Sequence, residues 1–182
     1  MRILYAASDQ RVPGTTGGSI HVVAVAEGLA ALGHEVHALV TPTGSLPDAN
    51  VHWIALPPPA GRKELRWANT GAVRSIARHI KPDVVIERYY NFGGEGVRAA
   101  AEVGALAVLE VNAPVIDYPG SGKRLLDRAL IFEPMRRWRE YLCSTSDLIV
   151  TPSRAIVPPE TARSKILELE WGADTDRFRP GI

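Results

Sequence analysis

Short apolar runs alternate along the chain with longer segments whose apolar residues recur at helical spacing. The apolar runs predict strands, and they cover 3–7, 36–40, 51–56, 83–86, 106–111, 148–151 and 165–169. The longer segments predict helices, and they cover 19–32, 62–80, 95–103 and 123–143. Gly33 and Gly104 follow two of these helices as stop signals, and Pro134 is expected to kink or split the last one.

This alternation predicts an α/β fold. We expect one Rossmann-like, doubly wound and mostly parallel sheet with helices on both faces. Ligands of such sheets bind at the carboxyl ends of the strands. The residues that follow Ala7, Ile86, Val111 and Leu169 are therefore the first candidates for a site.

Composition narrows the class of protein. A chain of 182 residues suits one domain, and its net charge of +1 argues against nucleic-acid binding, which favours a basic excess. Cys143 is the single cysteine, so the chain has neither an internal disulfide nor a cysteine-based zinc site, as suits a cytoplasmic protein. The N-terminal apolar run is too short for a signal peptide, and no apolar stretch is long enough to span a membrane.

A glycine pair precedes the first predicted helix. Without side chains at Gly17 and Gly18, backbone N–H groups can approach an anion at the helix N-terminus, with Ser19 beside them. The alternative is a tight turn that only admits the chain to a buried helix. The spacing does not match G-x-G-x-x-G, which argues against an NAD-type oxidoreductase.

The same glycine pair carries a resemblance to a known family. GGSIHV at 17–22, followed by LAALGHEV at 29–36, resembles the opening of family 4 glycosyltransferases with the GT-B fold. KPDVVI at 81–86, SDLIVTPS at 146–153 and GADTDRFRP at 172–180 are similar to later family motifs, in the same order. The resemblance therefore extends over nearly the whole chain.

The resemblance implies a function. Such enzymes move a sugar from a nucleotide-diphosphate donor to an acceptor, usually with retention of anomeric configuration and without a required metal or other cofactor. Residues 1–182 would form the N-terminal domain, which shapes the acceptor site, and the C-terminal donor-binding domain is missing from the chain. The turn Gly17-Gly18-Ser19 would face the donor diphosphate or the reaction centre. The isolated domain is expected to be inactive.

The segment after the fifth strand departs from the family. Many relatives place a histidine there, whereas this chain has Glu110 and Asn112 within ENAP. Side chains two apart on a strand point the same way, so both could face the transferring sugar. We take them as the catalytic candidates, with Asn112 bonding a hydroxyl and Glu110 doing likewise or acting as a base. The alternative is a pair that orders the loop.

A polar and aromatic segment also follows the fourth strand. Aromatic rings suit stacking on an acceptor, and polar groups suit hydrogen bonds to its hydroxyls. The predicted acceptor-binding residues are His21, Glu87, Arg88, Tyr89, Tyr90 and Asn91. The alternative for the segment is a loop that caps the next helix. The other histidines lack partners at metal-ligand spacing, so no metal site is predicted.

The predicted helix 62–80 is basic on one side. Lys63, Trp67, Arg74 and Arg78 fall on one face at helical spacing. A tryptophan among cations suits an anionic membrane surface or a lipid-linked acceptor, so peripheral membrane association is one interpretation. The alternative is a solvated face whose side-chain stems pack over Trp67.

Two other functions remain open. One is an NAD-type Rossmann oxidoreductase, which the glycine spacing disfavours. The other is a non-catalytic module of the same fold that binds a sugar or a partner protein.

Overall fold

The strands form one parallel sheet. The computed structural model describes residues 1–47, 50–115, 120–130, 132–170 and 172. In these ranges the strands are β1 (Arg2–Val12), β2 (Glu35–Pro42), β3 (Val51–Ala55), β4 (Val84–Arg88), β5 (Leu106–Glu110), β6 (Leu148–Thr151) and β7 (Ile166–Glu168). They lie in the order β3-β2-β1-β4-β5-β6-β7, and every neighbouring pair is parallel.

Five α-helices connect the described strands. They are α1 (Gly17–Ala31), α2 (Thr70–Ile80), α3 (Glu95–Val103), α4 (Gly122–Ala129) and α5 (Pro134–Thr145). Short 3-10 segments occupy Pro59–Gly61, Lys63–Asn69, Arg154–Ile156 and Arg163–Lys165.

Helices cover both faces of the sheet, and the central strand β1 is therefore buried on both sides. Tyr5 and Ala7 pack with Val22 and Ala26 of α1 on one face. Leu4 and Ala6 point the other way and pack in a cluster that also contains Val73 of α2 and Ala99 of α3. The predicted fold class, a doubly wound parallel sheet, is thereby confirmed.

The central strand is longer than its apolar run. The sequence predicts a strand that ends at Ala7, but β1 continues through polar residues to Val12. This second half is held by its neighbour, because Arg11 pairs with Thr41 after an irregularity and Thr41 Oγ1 donates to the carbonyl of Ser8 at 2.7 Å. Ser8 is fully buried, so this polar residue belongs to a cluster of buried polar side chains and not to the surface.

The predicted helix 62–80 is wrong in its first half. Residues Lys63–Asn69 form a 3-10 segment, and α2 begins only at Thr70. The side chain of Arg66 is completely buried there and donates to the carbonyl of Ala6 at 2.8 Å. Contacts of this buried arginine, rather than an apolar helical face, anchor the segment. The four residues of the predicted basic face therefore do not share one α-helical surface.

The predicted break at Pro134 is confirmed. Helix α4 ends at Ala129, and Pro134 occupies the first turn of α5. Asp127 caps the second helix, since its carboxylate accepts from the backbone N–H groups of Met135 at 2.8 Å and Arg136 at 2.9 Å. The proline lacks an N–H, which a first-turn position does not need.

Candidate functional site

Polar side chains gather where β1, β4 and β5 end. These strands are adjacent in the sheet, and their carboxyl ends lie at one edge beside the start of α1. Two clusters meet there, one centred on Glu110 and the other on Arg66. In a doubly wound sheet this edge is where ligands bind.

Glu110 is the centre of the first cluster. Its carboxylate accepts hydrogen bonds from the hydroxyl of Tyr5 and from Nδ2 of Asn112, the latter at 2.5 Å, and it pairs with Nε2 of His21. Glu110 is 5% exposed, whereas the His21 side chain is 24% exposed. The histidine is therefore the member of the pair that reaches solvent.

These contacts set the charge state of the cluster. Burial alone would raise the pKa of Glu110, but hydrogen bonds from His21, Tyr5 and Asn112 outweigh it and lower that pKa. Burial and the neighbouring Glu110 raise the pKa of Tyr5 well above its usual value, so Tyr5 stays a neutral donor. Glu110 is thus held as a carboxylate. A carboxylate with a lowered pKa is a weak base.

Asn112 has one group without a partner. Its Nδ2 donates to Glu110, but its buried Oδ1 accepts no hydrogen bond from any residue that the structure describes. A buried acceptor without a donor is costly, so this oxygen is a polar group that the described part of the chain leaves unsatisfied.

Arg66 is the centre of the second cluster. Its guanidinium donates to Glu95, to Asp9 Oδ1 at 2.5 Å and to the carbonyl of Arg88 at 3.0 Å. Nη2 lies 3.6 Å from Oε1 of Glu87. The arginine thereby ties the start of α3 to the ends of β1 and β4. Such burial of charge is tolerated only when it is compensated this fully.

Glu87 caps a helix inside this cluster. It is fully buried, and its carboxylate accepts from the backbone N–H groups of Gly94 and Val97, the latter at 2.8 Å, at the start of α3. Burial raises the pKa of Glu87 to about 7, helped by the negative charge of Glu95 and opposed by Arg66. This placement agrees with the alternative of a helix-capping loop.

The other residues of the predicted acceptor segment have different environments. Tyr89 is 8% exposed and packs in the core with Leu109, while its hydroxyl donates to Asn91 at 2.8 Å. Tyr90 and Asn91 are partly exposed, and Nζ of Lys63 lies 5.3 Å from the centre of the Tyr90 ring. Burial, with Glu64 nearby, raises the pKa of Tyr90 to about 12.

The glycine turn begins α1 as expected. Thr16 is the N-cap, and its Oγ1 accepts from the backbone N–H of Ser19 at 3.2 Å. Ser19 itself is buried, with its hydroxyl 2.8 Å from that of Thr16, so its side chain belongs to the cap. A methyl group on Gly17 would meet nothing within 4 Å, so this position is open.

Gly18 faces a cation. A methyl group there would lie 3.1 Å from Nη2 of Arg88 and 2.2 Å from Oε1 of Gln10. The Arg88 side chain is 16% exposed, and Oδ2 of Asp9 lies 3.9 Å from its Nη1. The helix N-terminus and Arg88 therefore place positive charge side by side.

Several residues of the site were missed by sequence reasoning. Tyr5 reads as part of an apolar strand, Asp9 and Gln10 as a polar loop, and Arg66 as one of several surface cations. Glu95 opens a predicted helix, where an acid is common for other reasons. The polar run 8–11, which follows the first predicted strand, is the one sequence feature that indicated polar residues at this edge of the sheet. Trp171 and residues 173–180 of the terminal motif lie outside the described residues.

In the basic surface predicted from residues 62–80, two of the cations are paired with an acid and so are less free to bind an anionic membrane. Nε of Arg74 and Nε of Arg78 both pair with Glu102, at 3.0 Å and 2.6 Å. Trp67 is 54% exposed. No helix in the described part of the chain is both long and apolar enough to cross a membrane.

Sequence comparison decides the family. The profile of Glycosyltransferase Family 4 matches residues 15–157, which include the glycine turn and the Glu110 cluster except Tyr5. The chain belongs to glycosyltransferase family 4. The predicted family is thereby confirmed, and it favours the transferase over the NAD-type alternative. No curated protein sequence matches the chain.

Solved structures share the fold of this family 4 domain. A glycosyltransferase from Rickettsia africae matches with a TM-score of 0.61 and 17% identity, over 98% of this chain and 45% of its own. MurG from Acinetobacter baumannii matches with a TM-score of 0.55 and 18% identity, over 87% of this chain and 43% of its own.

A protein with a different activity shares the fold as well. The UDP-GlcNAc 2-epimerase from Methanocaldococcus jannaschii matches with a TM-score of 0.54 and 14% identity, over 92% of this chain and 44% of its own. Structural likeness at this identity shows the fold alone, so the family rests on the sequence profile. The chain spans less than half the length of each of these structures.

Proposed function

We propose that this chain is the N-terminal, acceptor-side domain of a retaining glycosyltransferase that moves a sugar from a nucleotide-diphosphate sugar to an acceptor. Membership of family 4 supports the reaction class. The chain's share of the solved structures, 45% of one and 43% of another, supports a missing donor-binding domain. The catalytic edge would face that domain.

The observation that carries this proposal is the Glu110 cluster beside the glycine turn. His21 lies four residues after Gly17 and pairs with Glu110 at the end of β5. An anion-binding helix start and a hydrogen-bonding cluster thereby lie at one sheet edge. A transferase that handles a diphosphate next to a sugar needs both features.

On the donor side, we assign the diphosphate or reaction centre to the backbone of Gly17 and Gly18, with Arg88 as its cation. The helix dipole and a guanidinium both favour a negatively charged group. Ser19 contributes through its backbone, since its side chain is used in the cap. The transfer draws on no metal and no other cofactor in this proposal.

On the acceptor side, we assign contact to His21, Asn112, Tyr90 and Asn91. A sugar hydroxyl would donate a hydrogen bond to Oδ1 of Asn112, which has no donor among the described residues. Glu110 is then a positioning residue, because its lowered pKa disfavours proton abstraction while its carboxylate orients His21 and Asn112. Glu87 and Tyr89 support the loop from inside and are left out of direct contact.

Peripheral membrane contact through Lys63, Trp67, Arg74 and Arg78 stays a prediction. Exposure of Trp67 supports it. The pairing of Arg74 and Arg78 with Glu102 weakens it, because paired cations attract anionic lipid less.

The test is transfer by a protein in which this domain is joined to its donor-binding domain. Release of nucleotide diphosphate from a panel of nucleotide-diphosphate sugars is followed with acceptor present. Glu110→Gln should lower kcat on the order of 100-fold, because misplaced groups lose alignment in the transition state. Glu102→Gln, which changes an acid on α3 away from the site, should leave kcat unchanged.

Two results would contradict the proposal. Equal rates for the Glu110→Gln and Glu102→Gln proteins would remove Glu110 from the site. Absence of turnover with every donor would favour the non-catalytic binding module. The anomeric configuration of the product, read by NMR, tests retention separately.

A further inference from the structure

A second polar group lies at the opposite edge of the sheet. Glu35 and His37 lie near the amino end of β2, and His52 lies near the amino end of β3. His37 pairs with His52 in the parallel register, so the two side chains share one face. Glu35 is two residues before His37 on the same strand and joins that face.

The three side chains are close enough to share a ligand. One donor atom from each residue lies within 4.8 Å of the other two. His37 Nε2 is 2.9 Å from Oε1 of Glu35, and the rings of His37 and His52 stack with centroids 4.6 Å apart. Donor atoms at about 2.1 Å from a tetrahedral zinc are about 3.4 Å apart, so binding requires the stacked imidazole rings to rotate until their nitrogens converge on the ion.

The carboxylate is already oriented toward the histidines. Arg2 Nε donates to Oε2 of Glu35 at 3.1 Å, which leaves Oε1 to face His37. Arg2 is fixed in turn, because its Nη1 donates to the carbonyl of Ile80 at 2.6 Å. An outer hydrogen bond of this kind fixes the orientation of a metal ligand.

We propose that Glu35, His37 and His52 form a binding site for Zn²⁺ or a similar late first-row divalent cation. Two imidazoles and one carboxylate are a ligand set that zinc uses when a fourth position is left to water. Carboxylate-only sites suit Mg²⁺ or Ca²⁺ instead, and the two imidazoles disfavour those ions here.

The ion would join the edge strand to its neighbour. Among the strands that the structure describes, β3 is the last of the sheet on its side and pairs with β2 alone. A bound cation would link His52 of β3 to Glu35 and His37 of β2. The site lies at the amino ends of the strands, away from the glycine turn, so its role would be structural and separate from sugar transfer.

The test is a titration of the metal-free protein with ZnCl₂ by isothermal calorimetry at neutral pH. Wild type should bind Zn²⁺ saturably at this site, and its melting temperature should rise with Zn²⁺. His37→Gln and His52→Gln should each weaken that binding at least about 10-fold and remove the rise. His79→Gln, which changes an exposed histidine on α2, is the matched control and should behave as wild type.

Folding of each variant is checked by circular dichroism in EDTA. Co²⁺ substitution adds a spectroscopic reading, since visible absorption of a four-coordinate ion should appear in wild type and disappear in His52→Gln. Saturable Zn²⁺ binding that survives His37→Gln and His52→Gln would overturn the assignment, and so would a wild type that binds no Zn²⁺.

Discussion

At the residue scale, the buried charges around Arg66 shape the site more than any surface feature. Two arginines, Arg66 and Arg88, face three acids, Asp9, Glu87 and Glu95. Burial, together with the negative charge of Glu95, raises the pKa of Glu87 to about 7. The network holds the ends of three elements in place beside the glycine turn.

The first prediction concerns Arg66. Arg66→Met keeps much of the side-chain volume but leaves buried acids without their cation, so it should lower the free energy of unfolding by about 3–5 kcal/mol. Chemical denaturation measures this change. The matched control is Arg78→Met, because Arg78 is 64% exposed and an exposed ion pair contributes at most about 1 kcal/mol. Equal losses for the two variants would contradict a central role for Arg66.

The second prediction concerns pH and Glu87. Because its pKa is raised from 4.5 to about 7, the folded protein holds more protons than the unfolded chain between these values. The stabilising contribution is complete below pH 4.5 and is lost as pH rises through 7. Glu87→Gln should remove this slope from the pH dependence of the unfolding free energy, whereas the surface change Glu160→Gln should retain it. A slope that persists in Glu87→Gln would assign it to another group.

At the element scale, the strands and helices were predictable wherever burial follows a simple period. Helices α1 and α3 and the break before α5 match the sequence, because apolar spacing, glycine stops and a proline determine them. The extension of β1 to Val12 and the 3-10 segment Lys63–Asn69 were not predictable, since both depend on polar groups buried against distant elements.

The residues of the site likewise fall into those that the sequence indicates and those that only the fold brings together. Glu110 and Asn112 could be chosen from their position at the end of a strand, and the structure brings them to His21. Arg66 could not be distinguished from neighbouring cations, because its partners, Asp9, Glu87 and Glu95, are far from it in sequence. For the same reason the histidines of β2 and β3 gave no metal signal, since only strand pairing brings His37 beside His52.

The third prediction separates the two glycines that begin α1. Gly17→Ala adds a methyl group that meets no protein atom within 4 Å, so stability should be retained. If the turn approaches the donor diphosphate, this variant should still lose transfer in the two-domain enzyme. Gly28→Ala, which is also unhindered but lies near the other end of α1, is the control and should transfer normally.

Gly18→Ala is less clean as a probe. Its methyl group would displace the side chain of Gln10 and crowd Arg88, so a loss of transfer could come from either residue. Gly17 is thus the position where ligand approach and packing can be told apart. Unchanged initial rates in Gly17→Ala would return the turn to a purely structural role.

At the scale of the whole molecule, the described residues build their own core, and the proposed function assigns them one wall of a cleft. Three clusters of buried apolar residues support both faces of the sheet, so the domain should fold by itself. The chain covers 45% of one solved structure that it matches and 43% of another, and the proposed function assigns the donor-binding domain to the remainder. The isolated chain should therefore fold without being catalytically active.

The final prediction follows from that expectation. The isolated 182-residue chain should unfold in one cooperative transition yet release no nucleotide diphosphate from any nucleotide-diphosphate sugar. In the proposed function, the glycine turn and Arg88 supply one side of the diphosphate site, and binding energy for the nucleotide comes from the donor-binding domain. Turnover is measured side by side with the two-domain protein at equal concentration. Comparable rates for the two would show that this domain holds a complete active site.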